Sequence, residues 1–217
     1  MDKNEYLSAI ILKYREKLQE KIKTREIEMQ KDNTDHYMIY HALGFTSKEG
    51  YQIDYQQNVG RFLYKYAGSM LEELAIKCFS LAYPNSKQKV ILTNSIDNSP
   101  KTIEIDCLAN NKAYEIKWKD ATTDGDHINK ELKRLKIIKE AGYMPVRIMF
   151  FMPNRLQAIS IQTRIKIAYE KMGGEYYAGN AAWEYIKKET GINLKDLFEN
   201  FKEWLTCKKI ALYRVIH

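Results

Sequence analysis

Asp106, Glu115 and Lys117 lie on two short alternating runs, Ile103–Ala109 and Lys112–Trp118, joined by Asn110 and Asn111. Asn is one of the few residues that tolerates the left-handed backbone of a two-residue hairpin turn. With the two asparagines at the turn centre, Ala109 pairs with Lys112, Leu108 with Ala113 and Cys107 with Tyr114. The next pair is Asp106 with Glu115, and Glu104 falls opposite Lys117. Strict alternation then predicts one face carrying Glu104, Asp106, Glu115 and Lys117, and another carrying Ile103, Ile105, Cys107, Tyr114, Ile116 and Trp118. Like charges facing each other across strands repel, so a fold that keeps Asp106 against Glu115 needs a compensating cation. A divalent ion held by oxygen ligands, magnesium or manganese, would serve. The competing reading is a solvated face of a surface hairpin, and the pattern alone does not choose between them.

The remainder of the chain says what could position such a site. A helix is expected from residue 3 to about 30, with Tyr6, Ile10, Tyr14, Leu18 and Ile22 near helical spacing. A short helix at His36–Leu43 closes on Gly44, and Phe45–Asp54 reads as a loop. A second long helix is expected from about Asn58 to Ala82, stopping before Pro84. Gly60 and Gly68 in it would admit a close neighbour, and Glu72 and Glu73 sit midway. A strand at Val90–Thr93 precedes the hairpin. After a polar loop come a helix at about Ile128–Ala141 capped by Gly142, a buried strand at Val146–Met152, and a helix from near Asn154 to Gly173. Tyr176–Gly179 reads as a loop, followed by helices at roughly 181–189 and 194–206. This order predicts an α/β fold with a small mixed sheet flanked by helices. It would form a single domain with helical additions at 1–55 and 173–217 around a core at 56–172.

Composition narrows the partners. The 217 residues carry 35 Lys and Arg against 28 Asp and Glu, a formal charge of +7, which favours a polyanion such as double-stranded DNA. The N-terminus is charged and amphipathic, unlike a signal peptide, and no apolar run is long enough for a membrane span. Val146–Met152 is strand-sized and interrupted by Arg147. Cys78, Cys107 and Cys207 lack metal-site spacing, and a reducing, cytoplasmic setting is expected.

An acid on a helix, an Asp on one strand and Glu-x-Lys on the next, followed by a helix and a strand, resembles the PD-(D/E)xK nuclease superfamily. The matching residues are Asp106 and Glu115-Ile116-Lys117; Gly68-Ser69-Met70-Leu71-Glu72 is similar to the superfamily's first core helix. The usual proline before the Asp is absent, with Ile105 in its place. The run from Glu115 through His127 resembles ApaLI-like type II restriction endonucleases, as do Ala141–Phe150 and Gly173–Tyr177. The resemblance covers roughly the C-terminal two thirds of the chain.

That resemblance implies a restriction-endonuclease-like core and magnesium-dependent cleavage of double-stranded DNA at a short, palindromic sequence. Manganese would substitute. Asp106, Glu115, the carbonyl of Ile116 and Glu72 would hold or assist the metal, and Lys117 would lie near the attacking water. Expected companions are a second copy of the chain and a DNA methyltransferase. A repair nuclease of the same superfamily, or a non-catalytic basic DNA-binding protein, are the alternatives.

Lys119, Thr123, Asp124, His127, Lys130 and Arg134 are the candidate DNA contacts, being polar or basic and beside the site. A solvated helix face is the plainer account of the lysines, and Asp126 could simply cap the following helix. Trp118, Trp183, Tyr176 and Tyr177 are read as packing residues, and His36 and His41 as surface or structural ones.

Overall fold

The computed structural model describes residues 2–97, 99–119 and 126–207, without the side chains of Asp126 and His127. They form two compact units, one from the described residues of 1–70 and 201–217, the other from those of 71–200.

The first unit contains α1 (Lys3–Met29), α2 (Tyr37–Ala42) and most of α3 (Ser47–Ala82). Ile22 of α1 packs on Val59 and Phe62 of α3. α3 starts eleven residues before the expected Asn58, so Phe45–Asp54 is not a loop. The reason is a reciprocal cap: the Thr46 amide donates to the Glu49 carboxylate at 2.8 Å, while the Glu49 amide donates to Thr46 Oγ1 at 3.3 Å. The close approach expected at Gly60 is instead at Gly50. A Cβ on Gly50 would lie 2.8 Å from the Tyr40 ring, whereas Gly60 faces open space.

The second unit holds a five-stranded sheet in the order β1 (Lys87–Thr93), β2 (Thr102–Ala109), β3 (Lys112–Lys119), β4 (Met144–Phe151) and β5 (Glu175–Ala178). β1, β2 and β3 are antiparallel neighbours, and β4 and β5 add in parallel. β5 replaces the expected loop at Tyr176–Gly179. Four residues are too few to show a period, yet they alternate: Tyr176 hydrogen-bonds Gln162, and Tyr177 stacks on Tyr185 with centroids 4.0 Å apart. Both tyrosines therefore pack, as expected.

Helices cover both faces of the sheet. α4 (Asp126–Glu140) and α5 (Leu156–Lys171) lie on one. There Ile137 and Ile138 meet Ile103, Ile105 and Ala113, and Leu135 meets Ile161 and Tyr169. Gly142, at φ +84°, ends the α4 segment in the left-handed conformation expected of it. The last turns of α3 and α6 (Asn180–Thr190) lie on the other face, where Phe79 stacks on Tyr114 at 4.1 Å and Trp183 meets Phe150 at 4.5 Å. α7 (Leu194–Cys207) follows. The result is a mixed α/β sandwich with a restriction-endonuclease-like core. No helix among the described residues is long and apolar enough to cross a membrane.

Candidate active site

The hairpin turns where expected. Asn110 and Asn111 have φ of 48° and 60°, and the rungs are Ala109 with Lys112, Leu108 with Ala113 and Cys107 with Tyr114. At the next position the ladder stops. Asp106 does not form a rung with Glu115; its Oδ2 instead accepts the main-chain N–H of Ile116 at 2.8 Å. The carboxylate thus satisfies a buried donor that strand separation would otherwise leave unpaired.

The alternation also breaks there. Ile103, Ile105 and Leu108 all pack toward α4, so Ile103 and Ile105 do not share a face with Tyr114, as strict alternation had predicted. The cause is on β1. The β1–β2 ladder runs Lys87 with Leu108 and Gln88 with Cys107, omits Lys89 and Asp106, and resumes at Val90 with Ile105. Lys89 has φ +50°, a left-handed backbone rare for a lysine. That one residue reverses the inside–outside order beyond it, and Asp106 stands opposite. Glu104 consequently does not face Lys117. Its carboxylate lies 3.4 Å from Lys89 Nζ.

Glu115 and Lys117 do share a face, with Nζ 2.6 Å from Glu115 Oε1. Arg134 of α4 donates to the other Glu115 oxygen at 2.8 Å and to the carbonyl of Glu104. Behind it, Arg147, fully buried on β4, donates to Glu131 at 2.8 Å. The other half faces α3. Lys89 Nζ pairs with Glu72 and lies 3.3 Å from Asp106 Oδ1.

These surroundings set opposite proton affinities. Burial, reinforced by the charge of Glu115, pushes the Asp106 carboxyl up to about 6. Burial would raise Glu115 as well, but Lys117, Arg134 and Arg147 outweigh it and hold that carboxyl below its ordinary value. Burial opposes the charge of Lys117, yet Glu115 and Asp106 keep its ammonium above the usual range. Lys117 therefore stays charged in the site.

Glu115 and Lys117 open onto a cleft of about 710 Å³, whose walls include Asn129, Lys130, Lys133 and Arg134 of α4 and the Ser99–Pro100 turn. Lys130 is therefore beside the acids, but Arg134 is committed to Glu115. Lys119 ends β3, level with Phe151. Thr123 and Asp124 lie outside the described residues, as does the side chain of His127; its backbone is in the first turn of α4. Within the first unit, His36 meets Asp54 and His41 meets Ser47 at the surface.

Sequence reasoning missed Lys89 and the Arg147–Glu131 pair. The left-handed turn at Lys89 has no sequence signature, whereas a charged residue interrupting an apolar strand was a visible sign for Arg147.

The donor chemistry fits a hard divalent cation: carboxylate oxygens from Asp106 and Glu115, with the Ile116 main chain between them. Among the described residues no three Asp, Glu, His or Cys side chains form a ready cation cage. Lys89, Lys117 and Arg134 already hold the acids.

A mixed sheet carrying an acid at the opening of one hairpin arm and Glu-x-Lys on the other is the core expected of a restriction endonuclease. The chain belongs to the ApaLI-like restriction endonuclease family, whose model matches residues 1–203. That match begins well before the segment that had suggested it. Neither the comparison with curated proteins nor that with solved structures gave a match.

Proposed function

We propose that the protein is a type II restriction endonuclease of the PD-(D/E)xK kind, hydrolysing double-stranded DNA with magnesium at a short palindromic sequence. The observation carrying this reading is the convergence of Asp106, Glu115 and Lys117 where β2 and β3 separate, beside a cleft walled by basic residues of α4. Asp106, Glu115 and the Ile116 carbonyl would hold the metal, with Glu72 supporting from α3. When bound, the ion polarises the scissile phosphate and stabilises the departing oxygen.

Lys117, fixed by Glu115, orients the attacking water and offsets charge that grows on the phosphate. Lys119 and Lys130 would meet the DNA backbone, while Thr123, Asp124 and His127 would face base edges, with Asp124 accepting from a base amino group. Two copies of the chain would read a two-fold DNA site. A companion methyltransferase would protect the host sequence.

The test is digestion of a large sequenced DNA with magnesium and sequencing of the ends. Discrete ends sharing one motif are expected, and Lys117→Ala should lose cleavage while still binding DNA. Ends without a common motif would point to a repair-type nuclease. An absence of cleavage on any mixed-sequence DNA would overturn the enzymatic reading.

A further inference from the structure

We infer that Lys89 is a built-in counter-cation which occupies the Asp106 half of the site in the metal-free protein and must withdraw when a divalent ion binds. The inference rests on the metal-dependent reading above.

Three carboxylates from two elements converge on this one ammonium. Glu72 comes from α3, and Glu104 and Asp106 come from β2, at 3.4 and 3.3 Å for the latter two. An isolated surface pair contributes little, but a shared cation between three acids prevents their mutual repulsion. Charge counting gives the same picture. Glu72, Glu104, Asp106 and Glu115 face Lys89, Lys117 and Arg134, leaving one net negative charge. Adding a divalent ion with all three cations in place would overshoot to one net positive charge. Removing one ammonium restores neutrality.

Lys89 is the cation able to leave. Its side chain is 47% exposed, against 35% for Lys117 and 24% for Arg134. It sits at the omitted rung of the β1–β2 ladder, so its withdrawal breaks no rung of that ladder. Its left-handed backbone aims the side chain at the acids at a conformational cost that a free strand lysine would not bear. Lys117 and Arg134, by contrast, are bound to Glu115 from within the α4 side.

The test is calorimetric titration of the full chain with calcium chloride or magnesium chloride, without DNA, alongside thermal unfolding. Lys89→Met should bind the ion about tenfold more tightly, equivalent to about 1.4 kcal/mol. Its metal-free form should melt lower than wild type, with the gap closing at saturating metal. Lys89→Asn removes the charge while suiting a left-handed backbone, and should show the same tightening if Lys89→Met folds poorly. Lys89→Arg keeps the cation and should stay near the wild-type affinity.

Unchanged or weaker binding in both neutral variants, with wild type binding normally, would overturn the inference and leave the metal site standing. Reduced DNA cleavage at unchanged metal affinity would also overturn it, marking Lys89 as a DNA contact. Failure of wild type itself to bind either ion would remove both this inference and the metal-dependent reading.

Discussion

Asp106 and Glu115 belong to one site, yet their surroundings differ in kind. Glu115 is saturated: Lys117 and Arg134 each take one of its oxygens, and the buried Arg147–Glu131 pair stands behind them. Asp106 shares a half-exposed lysine with two other acids and keeps a raised proton affinity. The difference separates an anchor from a receptor. Glu115 is fixed before any ion arrives, while Asp106 carries the repulsion that an added cation would relieve.

Neutralising each acid should break this contrast most sharply. Both Asp106→Asn and Glu115→Gln should lower single-turnover DNA cleavage by about 10²–10³-fold. Their stabilities should move in opposite directions. Glu115→Gln removes the carboxylate that both Lys117 and Arg134 bond directly and should cost about 3–5 kcal/mol in chemical denaturation. Asp106→Asn removes a repelled charge but retains an oxygen for the Ile116 N–H, and should stabilise the metal-free protein by about 0.5–2 kcal/mol. Destabilisation by both substitutions would erase the distinction between anchor and receptor.

The support behind Glu115 can be probed next. Arg147→Met leaves Glu131 buried and unpaired by its main partner, with an expected loss of about 3–5 kcal/mol by the same measurement. The double change Arg147→Met with Glu131→Leu should recover most of that loss. Arg134→Gln removes a charge-assisted hydrogen bond to Glu115 and should cost about 1.5–3 kcal/mol. If Arg134→Gln proves neutral, the saturation of Glu115 depends on Lys117 alone.

The smallest effect lies at the cleft wall. Lys133 pairs with Asp97 and, with help from the Ser99 amide, holds that carboxyl down to about 2. A lowered acid stabilises fully above its unfolded value near 4, and the contribution is lost as pH falls through about 2. Amide exchange around residues 94–97 should therefore speed up between pH 4 and 2 beyond the intrinsic pH trend. Asp97→Asn should abolish that extra change.

Much of the fold was legible because helical spacing in α4, α6 and α7, and the polar break after α1, stand openly in the sequence. α1, α4, α6 and α7 fall close to their expected bounds, and the hairpin rungs match the count from Asn110 and Asn111. The start of α3 was also written in the chain, in the spacing of Thr46 and Glu49, but local capping outweighed the loop-like reading of Phe45–Asp54. β5 was too short to show alternation. At the site, the types and order of Asp106, Glu115 and Lys117 were readable. Their meeting place was not, because strict alternation fails at Lys89 and Asp106. Arg134 illustrates a different limit: a helix arginine looks the same in sequence whether it meets a phosphate or a neighbouring carboxylate.

The hydrogen bond from the Ile116 amide to Asp106 spans ten positions of chain, all of them hairpin. Residue number is therefore itself a dimension of this site. Removing Asn111 would shorten the tether by one unit and offset one arm against the other, although every acid and lysine remained in the protein. The hairpin acts as a ruler whose length cannot drift, even where its individual side chains could be exchanged.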